Sequence, residues 1–84
     1  MENTQELLYV GYKFFNGKKD PDKTFYVLRF ITNPIISYSS AYCQDIDIFV
    51  EKDVYNKFIK EHDLLDWVET NCQIVGDKVR YTIN

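Results

Sequence analysis

Along most of the chain the apolar residues come in short, strand-like runs, and the period changes once. Residues 7–15 (LLYVGYKFF) are rich in strand-forming side chains, with Gly11 in the middle, where a glycine often marks a bulge or tight bend. Residues 16–23 (NGKKDPDK) combine Asn-Gly with Asp-Pro and carry no large apolar side chain, so they read as a loop. Residues 24–32 (TFYVLRFIT) read as a second strand, which makes a hairpin with a long basic tip. Asn33-Pro34 ends it, and residues 35–41 read as a loop or irregular edge. Residues 42–50 (YCQDIDIFV) place Ile46, Ile48 and Val50 on one side and Asp45 and Asp47 on the other, a half-buried strand.

The period becomes helical after Glu51. Val54, Tyr55, Phe58 and Ile59 fall at i, i+1, i+4 and i+5, one apolar stripe of an amphipathic helix. Asp63 is placed to cap a second helical turn carrying Leu64 to Val68, with a break near His62. Strand character returns at residues 72–75 and 78–83, joined by Gly76-Asp77, a two-residue hairpin signal. On the last strand Val79, Tyr81 and Ile83 face one way, and Lys78, Arg80 and Thr82 the other.

The predicted order is β-β-β-α-β-β in a mainly β chain with one helix. It is the order of an OB-like, five-stranded Greek-key barrel, with the helix between the third and fourth strands. The runner-up is an open antiparallel sheet with one helix packed across it. Gly11 suits the long, bent first strand that such a barrel needs to join both of its sheets. The 84 residues make a single domain, 1–84, with no internal repeat or linker.

Composition narrows the function classes. The chain has net charge −3, 45% hydrophobic and 17% aromatic residues, with seven Tyr, six Phe and one Trp. Fourteen rings exceed what a small core needs. Tyr12, Phe14, Tyr26, Phe30, Phe49, Phe58, Trp67 and Tyr81 are assigned to the core, and Tyr9, Phe15, Phe25, Tyr38, Tyr42 and Tyr55 are left unassigned. Two cysteines, Cys43 and Cys72, are too few for a disulfide-stapled module and read as small buried residues. The polar start, Met1 to Glu6, is unlike a signal peptide, and no apolar run approaches membrane-spanning length. The expectation is a cytoplasmic protein. There is no phosphate loop, nucleophile motif or metal-ligand spacing, so no enzymatic activity, catalytic residue, metal or cofactor is expected.

The first hairpin carries the functional signal. If Lys13 and Arg29 point outward, one sheet face holds Tyr9, Lys13, Phe15, Phe25 and Arg29, and the adjacent loop adds Lys18, Lys19 and Lys23. Rings interleaved with cations suit single-stranded nucleic acid, since bases stack on rings and cations track phosphates. Phe15 and Phe25 also suit a cross-strand pair flanking the loop, and exposed rings equally suit a protein or dimer interface. The net charge is +1 over residues 1–44, −5 over 45–70 and +1 over 71–84, so acidity concentrates on the third strand and the helix.

The run YVGYKFF, a basic loop, TFYVLRF and a strand–helix–hairpin end resembles small OB-fold single-stranded-DNA-binding proteins of phages and conjugative elements. The resemblance covers most of the chain as an arrangement. It implies a helix-destabilising protein that coats single-stranded DNA during replication, usually as a homodimer. Tyr9, Phe15 and Phe25 would then stack on bases, and Lys13, Lys18, Lys19, Lys23 and Arg29 would contact phosphates. The net charge of −3 departs from that pattern and implies modest affinity, steeply reduced by salt. The competing expectation is a protein-interaction module, such as a phage-encoded inhibitor or adaptor, that meets a protein partner through its acidic helix and exposed aromatics.

Overall fold

The computed structural model describes residues 2–83; Met1 and Asn84 lie outside the described residues. The strands are β1 (Glu2–Asn16), β2 (Thr24–Ile31), β3 (Ile35–Ile36), β4 (Ala41–Tyr42), β5 (Asp45–Val50), β6 (Trp67–Val75) and β7 (Lys78–Thr82), with one helix, α1 (Lys52–Glu61), before β6. The protein is thus mainly β with one helix, as the hydrophobic periods predict. Five strands form one antiparallel sheet in the order β5-β2-β1-β6-β7, and β3 and β4 form a separate two-stranded arm.

The sheet is curled into a half-barrel. If it were flat, β5 and β7 would lie about 19 Å apart, four strand spacings of about 4.8 Å. Instead these two edge strands line one cleft of about 420 Å³, with Gln44–Phe49 on one side and Val79–Thr82 on the other. The bend comes from β1. Its first half, Glu2 to Leu8, pairs with β6, and its second half, Leu8 to Asn16, pairs with β2. The ladder shifts register between Tyr9 and Gly11, so Val10 is an extra residue, a bulge that twists the strand where it changes partner.

One face of the sheet and one face of α1 enclose the core. Leu7, Tyr9, Leu28, Phe30, Ile46, Ile48 and Val68 come from the strands, and Tyr55 and Phe58 from the helix. Tyr9, Phe30 and Phe58 meet at its centre. The Tyr9 and Phe58 rings are edge-on at 4.9 Å, Phe30 and Phe58 at 5.9 Å, and Tyr9 lies 5.6 Å from Phe30. Such pairs add about 0.5–1.5 kcal/mol each beyond the area they bury. α1 carries Asp53 in its first turn and Lys60 in its last, both favourable to the helix dipole.

Several expectations are corrected. The polar residues 2–6 are strand, because β6 supplies their partners and Thr70 donates from Oγ1 to the Gln5 carbonyl at 2.9 Å. No second helical turn forms at Leu64–Val68. The chain turns at residues 62–66, with Leu65 at φ 74°, its N–H donating to the Tyr9 carbonyl at 2.7 Å, and Tyr9 N–H donating to the Asp66 carbonyl at 2.9 Å. This docking onto β1 starts β6 at Trp67, where Val68 and Thr70 alternate into the core. Residues 35–41, expected as a loop or irregular edge, form the β3–β4 arm together with Tyr42, which was expected in the following strand; the arm's base is closed by Thr32 N–H donating to the Gln44 carbonyl and Gln44 N–H donating to Thr32 Oγ1, each at 3.0 Å. Cys43 is exposed and Cys72 half-buried, and both are free thiols. The Gly76-Asp77 hairpin turn forms where expected, with Gly76 at φ 65°.

Candidate nucleic-acid interface

The outer face of β1, β2 and β5 is built in rows by the strand register. Gly11 stands beside Arg29 and Arg29 beside Asp47; Lys13 beside Val27 and Val27 beside Phe49; Phe15 directly beside Phe25. This face turns away from the core, because Tyr26, Leu28 and Phe30 on β2 and Ile46, Ile48 and Val50 on β5 take the alternate positions.

Three rings make the centre of the face. Phe15 and Phe25 are stacked, with centroids 5.4 Å apart and planes 26° from parallel. Phe49 stands edge-on to both, at 6.2 Å and 6.3 Å. Val27, fully buried, is the floor under them, while Phe49 keeps 61% of its surface exposed and Phe15 41%. Cations border the rings: Lys13 Nζ lies 6.0 Å from the Phe15 centroid and Lys23 Nζ 5.3 Å from the Phe25 centroid.

The loop between β1 and β2 is folded back on itself. Gly17 N–H donates to the Lys23 carbonyl at 2.9 Å, and Lys23 N–H donates to the Asp20 carbonyl at 3.0 Å. A Cβ on Gly17 would meet the Asp20 carbonyl oxygen at 2.9 Å and Phe25 Cε2 at 3.2 Å, so only glycine permits this closure. The closure sets Lys23 over Phe25 and leaves Lys18 and Lys19 exposed. Asp20 and Asp22 share the loop, which moderates its positive charge.

Of the eight residues predicted for the site, the structure gathers Lys13, Phe15, Phe25 and Arg29 on one face with Lys23 at its edge, and puts Lys18 and Lys19 on the adjoining loop. Tyr9 does not belong to it. The bulge at Val10 reverses the alternation of β1, so Tyr9 faces the core and is 1% exposed. Burial, aided by the nearby Tyr12 and Tyr55 phenols, pushes its pKa up to about 12, and its hydroxyl finds no hydrogen-bond partner among the described residues.

Sequence reasoning missed two members of the face. Phe49 was assigned to the core, yet it shares the parity of Asp45 and Asp47 along β5, and that signal could have placed it outside. Asp47 was placed only on the side of its strand opposite Ile46 and Ile48, yet it sits in the same row as Arg29, with Arg29 Nε 3.3 Å from Oδ1 and Lys13 Nζ 4.0 Å from Oδ2. Acidity is therefore not segregated from the first hairpin, since β5 lies beside β2. Two further rings expected in the core, Tyr12 and Phe14, are half-exposed and largely exposed on the inner face near the hairpin tip, Tyr12 edge-on to Tyr55 and Phe14 tilted against Tyr26. Trp67, also expected in the core, is half-exposed and lines a groove of about 480 Å³ with Val54, Phe58 and His62.

Among the described residues no group of three His, Cys, Asp or Glu is placed to hold a metal ion, and no helix is long and apolar enough to cross a membrane. No family model, curated protein or solved structure matches the chain.

Proposed function

We propose that the chain is a non-catalytic single-stranded-DNA-binding protein. It acts through the outer face of β1, β2 and β5 and the adjoining loop, on an OB-like, partly open Greek-key barrel. The observation that carries this reading is the exposed Phe15–Phe25–Phe49 cluster bordered by Lys13, Lys23 and Arg29. Rings offer stacking to bases whose faces are free, about 1–3 kcal/mol per base, and a duplex hides those faces. The cations at the rim meet the backbone that connects the stacked bases.

Three features support the barrel and the resemblance to small single-stranded-DNA-binding proteins of phages and conjugative elements. The helix falls between the third and fourth long strands, β1 is bent by a bulge, and the two sheet edges share a cleft. An OB barrel uses the outer surface of its second and third strands and the loop after its first strand. Those are β2, β5 and residues 17–23 here.

A second reading rests on the groove between α1 and β6. Its half-exposed Trp67, flanked by exposed Leu64 and Leu65, suits a protein partner on the acidic side of the molecule. One titration separates the two. A dye-labelled oligo-dT is followed by anisotropy at low and moderate salt, because the cluster contains no Tyr or Trp to report binding. The proposal expects binding at low salt that weakens with salt and is lost in the Lys18→Glu/Lys19→Glu protein. A flat signal at low salt overturns it and favours the protein partner.

A further inference from the structure

We infer that Asp47 is an internal competitor for the phosphate seat of the proposed DNA-binding face, and that it sets the affinity and salt dependence of binding. The inference rests on the single-stranded-DNA reading above and deepens it.

The seat is defined by register. Gly11, Arg29 and Asp47 form one cross-strand row, and Lys13 belongs to the next row on the same face. Gly11 presents no side chain there, so the Arg29 stem lies over bare backbone: a Cβ on Gly11 would sit 3.9 Å from Arg29 Cβ and Cδ. Arg29 and Lys13 thus converge over an open floor beside the Phe15–Phe25–Phe49 cluster. Two converging cations with a glycine floor make a seat for an anionic oxygen group.

In the free protein that group is the Asp47 carboxylate. One oxygen takes Arg29 Nε at 3.3 Å and the other faces Lys13 Nζ at 4.0 Å. The three side chains stay between one-third and one-half exposed, so the pairs are solvent-screened and weak, and a phosphate can compete for them. Only one edge of the guanidinium is used, which leaves its remaining donors facing solvent. A strand of DNA must either displace Asp47 or bind beside it. In both cases the carboxylate opposes the incoming charge, and one of the two positive charges arrives already neutralised.

This has a consequence for salt dependence. Binding to single strands weakens with salt in proportion to the phosphates neutralised, with a logarithmic slope of about −0.7 per contact. A positive charge already offset by a carboxylate displaces fewer of the counterions condensed on the DNA and contributes little to that slope. Removing that one carboxylate charge should steepen it by up to about 0.7. The charge removed lies within a few ångströms of the phosphate, which in a water-like dielectric is worth about fivefold in affinity.

The test compares wild type, Asp47→Asn and Asp45→Asn by anisotropy of a labelled oligo-dT over a series of salt concentrations. Asn at 47 keeps the acceptor for Arg29 and the side-chain size, and removes only the charge. Asp45→Asn removes the same charge from the same strand face, opposite Ile31 in the β2–β5 ladder rather than opposite a cation. The inference expects about fivefold tighter binding and a steeper slope for Asp47→Asn, and a smaller gain without a slope change for Asp45→Asn. Equal effects of the two variants, or an unchanged slope, overturn the inference while wild-type binding still upholds the DNA reading. Absence of binding by every protein at low salt overturns both.

Discussion

Tyr9 stands directly across the β1–β2 ladder from Phe30, and the next pair along is Gly11 with Arg29. One pair belongs to the core and the other to the outer face, and the single bulged residue Val10 separates them. The Tyr9 hydroxyl is carried into the core with no partner among the described residues. An unpartnered buried hydroxyl costs more than it returns. Tyr9→Phe is therefore expected to stabilise the fold by about 1 kcal/mol at neutral pH, measured by urea unfolding. A loss of stability would mean that the hydroxyl is satisfied after all.

The same burial predicts alkaline sensitivity. Tyr9 holds its proton up to about pH 12 in the folded state, mainly because burial disfavours the phenolate. Tyr55 and Tyr81 are shifted upward for the same first reason. The unfolded chain releases these protons near pH 10. Between the two values the folded state binds more protons, so stability is intact below about pH 10 and falls as pH rises toward 12. Melting temperatures taken across that range should fall less steeply for Tyr9→Phe than for wild type.

Glu6 and Glu69 face each other directly in the β1–β6 ladder, and both are exposed. Like charges in that position destabilise an antiparallel pair. Glu6→Lys should raise stability by about 0.5–1 kcal/mol, and adding Glu69→Lys should cancel the gain by restoring like charges. Chemical unfolding of both single variants and the double variant gives the pair's coupling directly.

The outer rings and the core rings should respond in opposite ways to truncation. Phe49→Ala removes an exposed ring and is expected to weaken oligo-dT binding by about 1–3 kcal/mol with little effect on folding. Phe58→Ala empties the middle of the core and is expected to cost about 3–5 kcal/mol of stability. Anisotropy and urea titrations on the two proteins would separate the binding face from the scaffold.

How much of this was legible in the chain depends on whether a local period reports a local environment. The alternation around Ile46, Ile48 and Val50, the helical stripe at Tyr55 and Phe58, and the Gly76-Asp77 turn each report their own surroundings, and each element stands where its pattern placed it. Tyr9 fails because one bulged residue reverses the face of everything before it, and Gly11 marked the bend without fixing which residue was extra. Trp67 and Val68 read as a helical continuation because their partners, Leu7 and Leu8, lie about 60 residues earlier, and only that pairing makes them strand. The pattern placed Asp47 on the polar side of its strand but not beside Arg29 and Lys13, because those partners arrive from other strands. The hairpin face survived because Lys13, Phe15, Phe25 and Arg29 all lie beyond the bulge, where simple alternation holds.

The central claim concerns one face of the sheet, so the most direct measurement locates the contact. Amide chemical shifts of isotopically labelled protein are followed by NMR as a short oligo-dT is added at low salt. The prediction is that the perturbed residues gather at 11–29 and 47–49, while α1 and residues 62–69 stay unchanged. Perturbations confined to the groove between α1 and β6, or none at all, would contradict it.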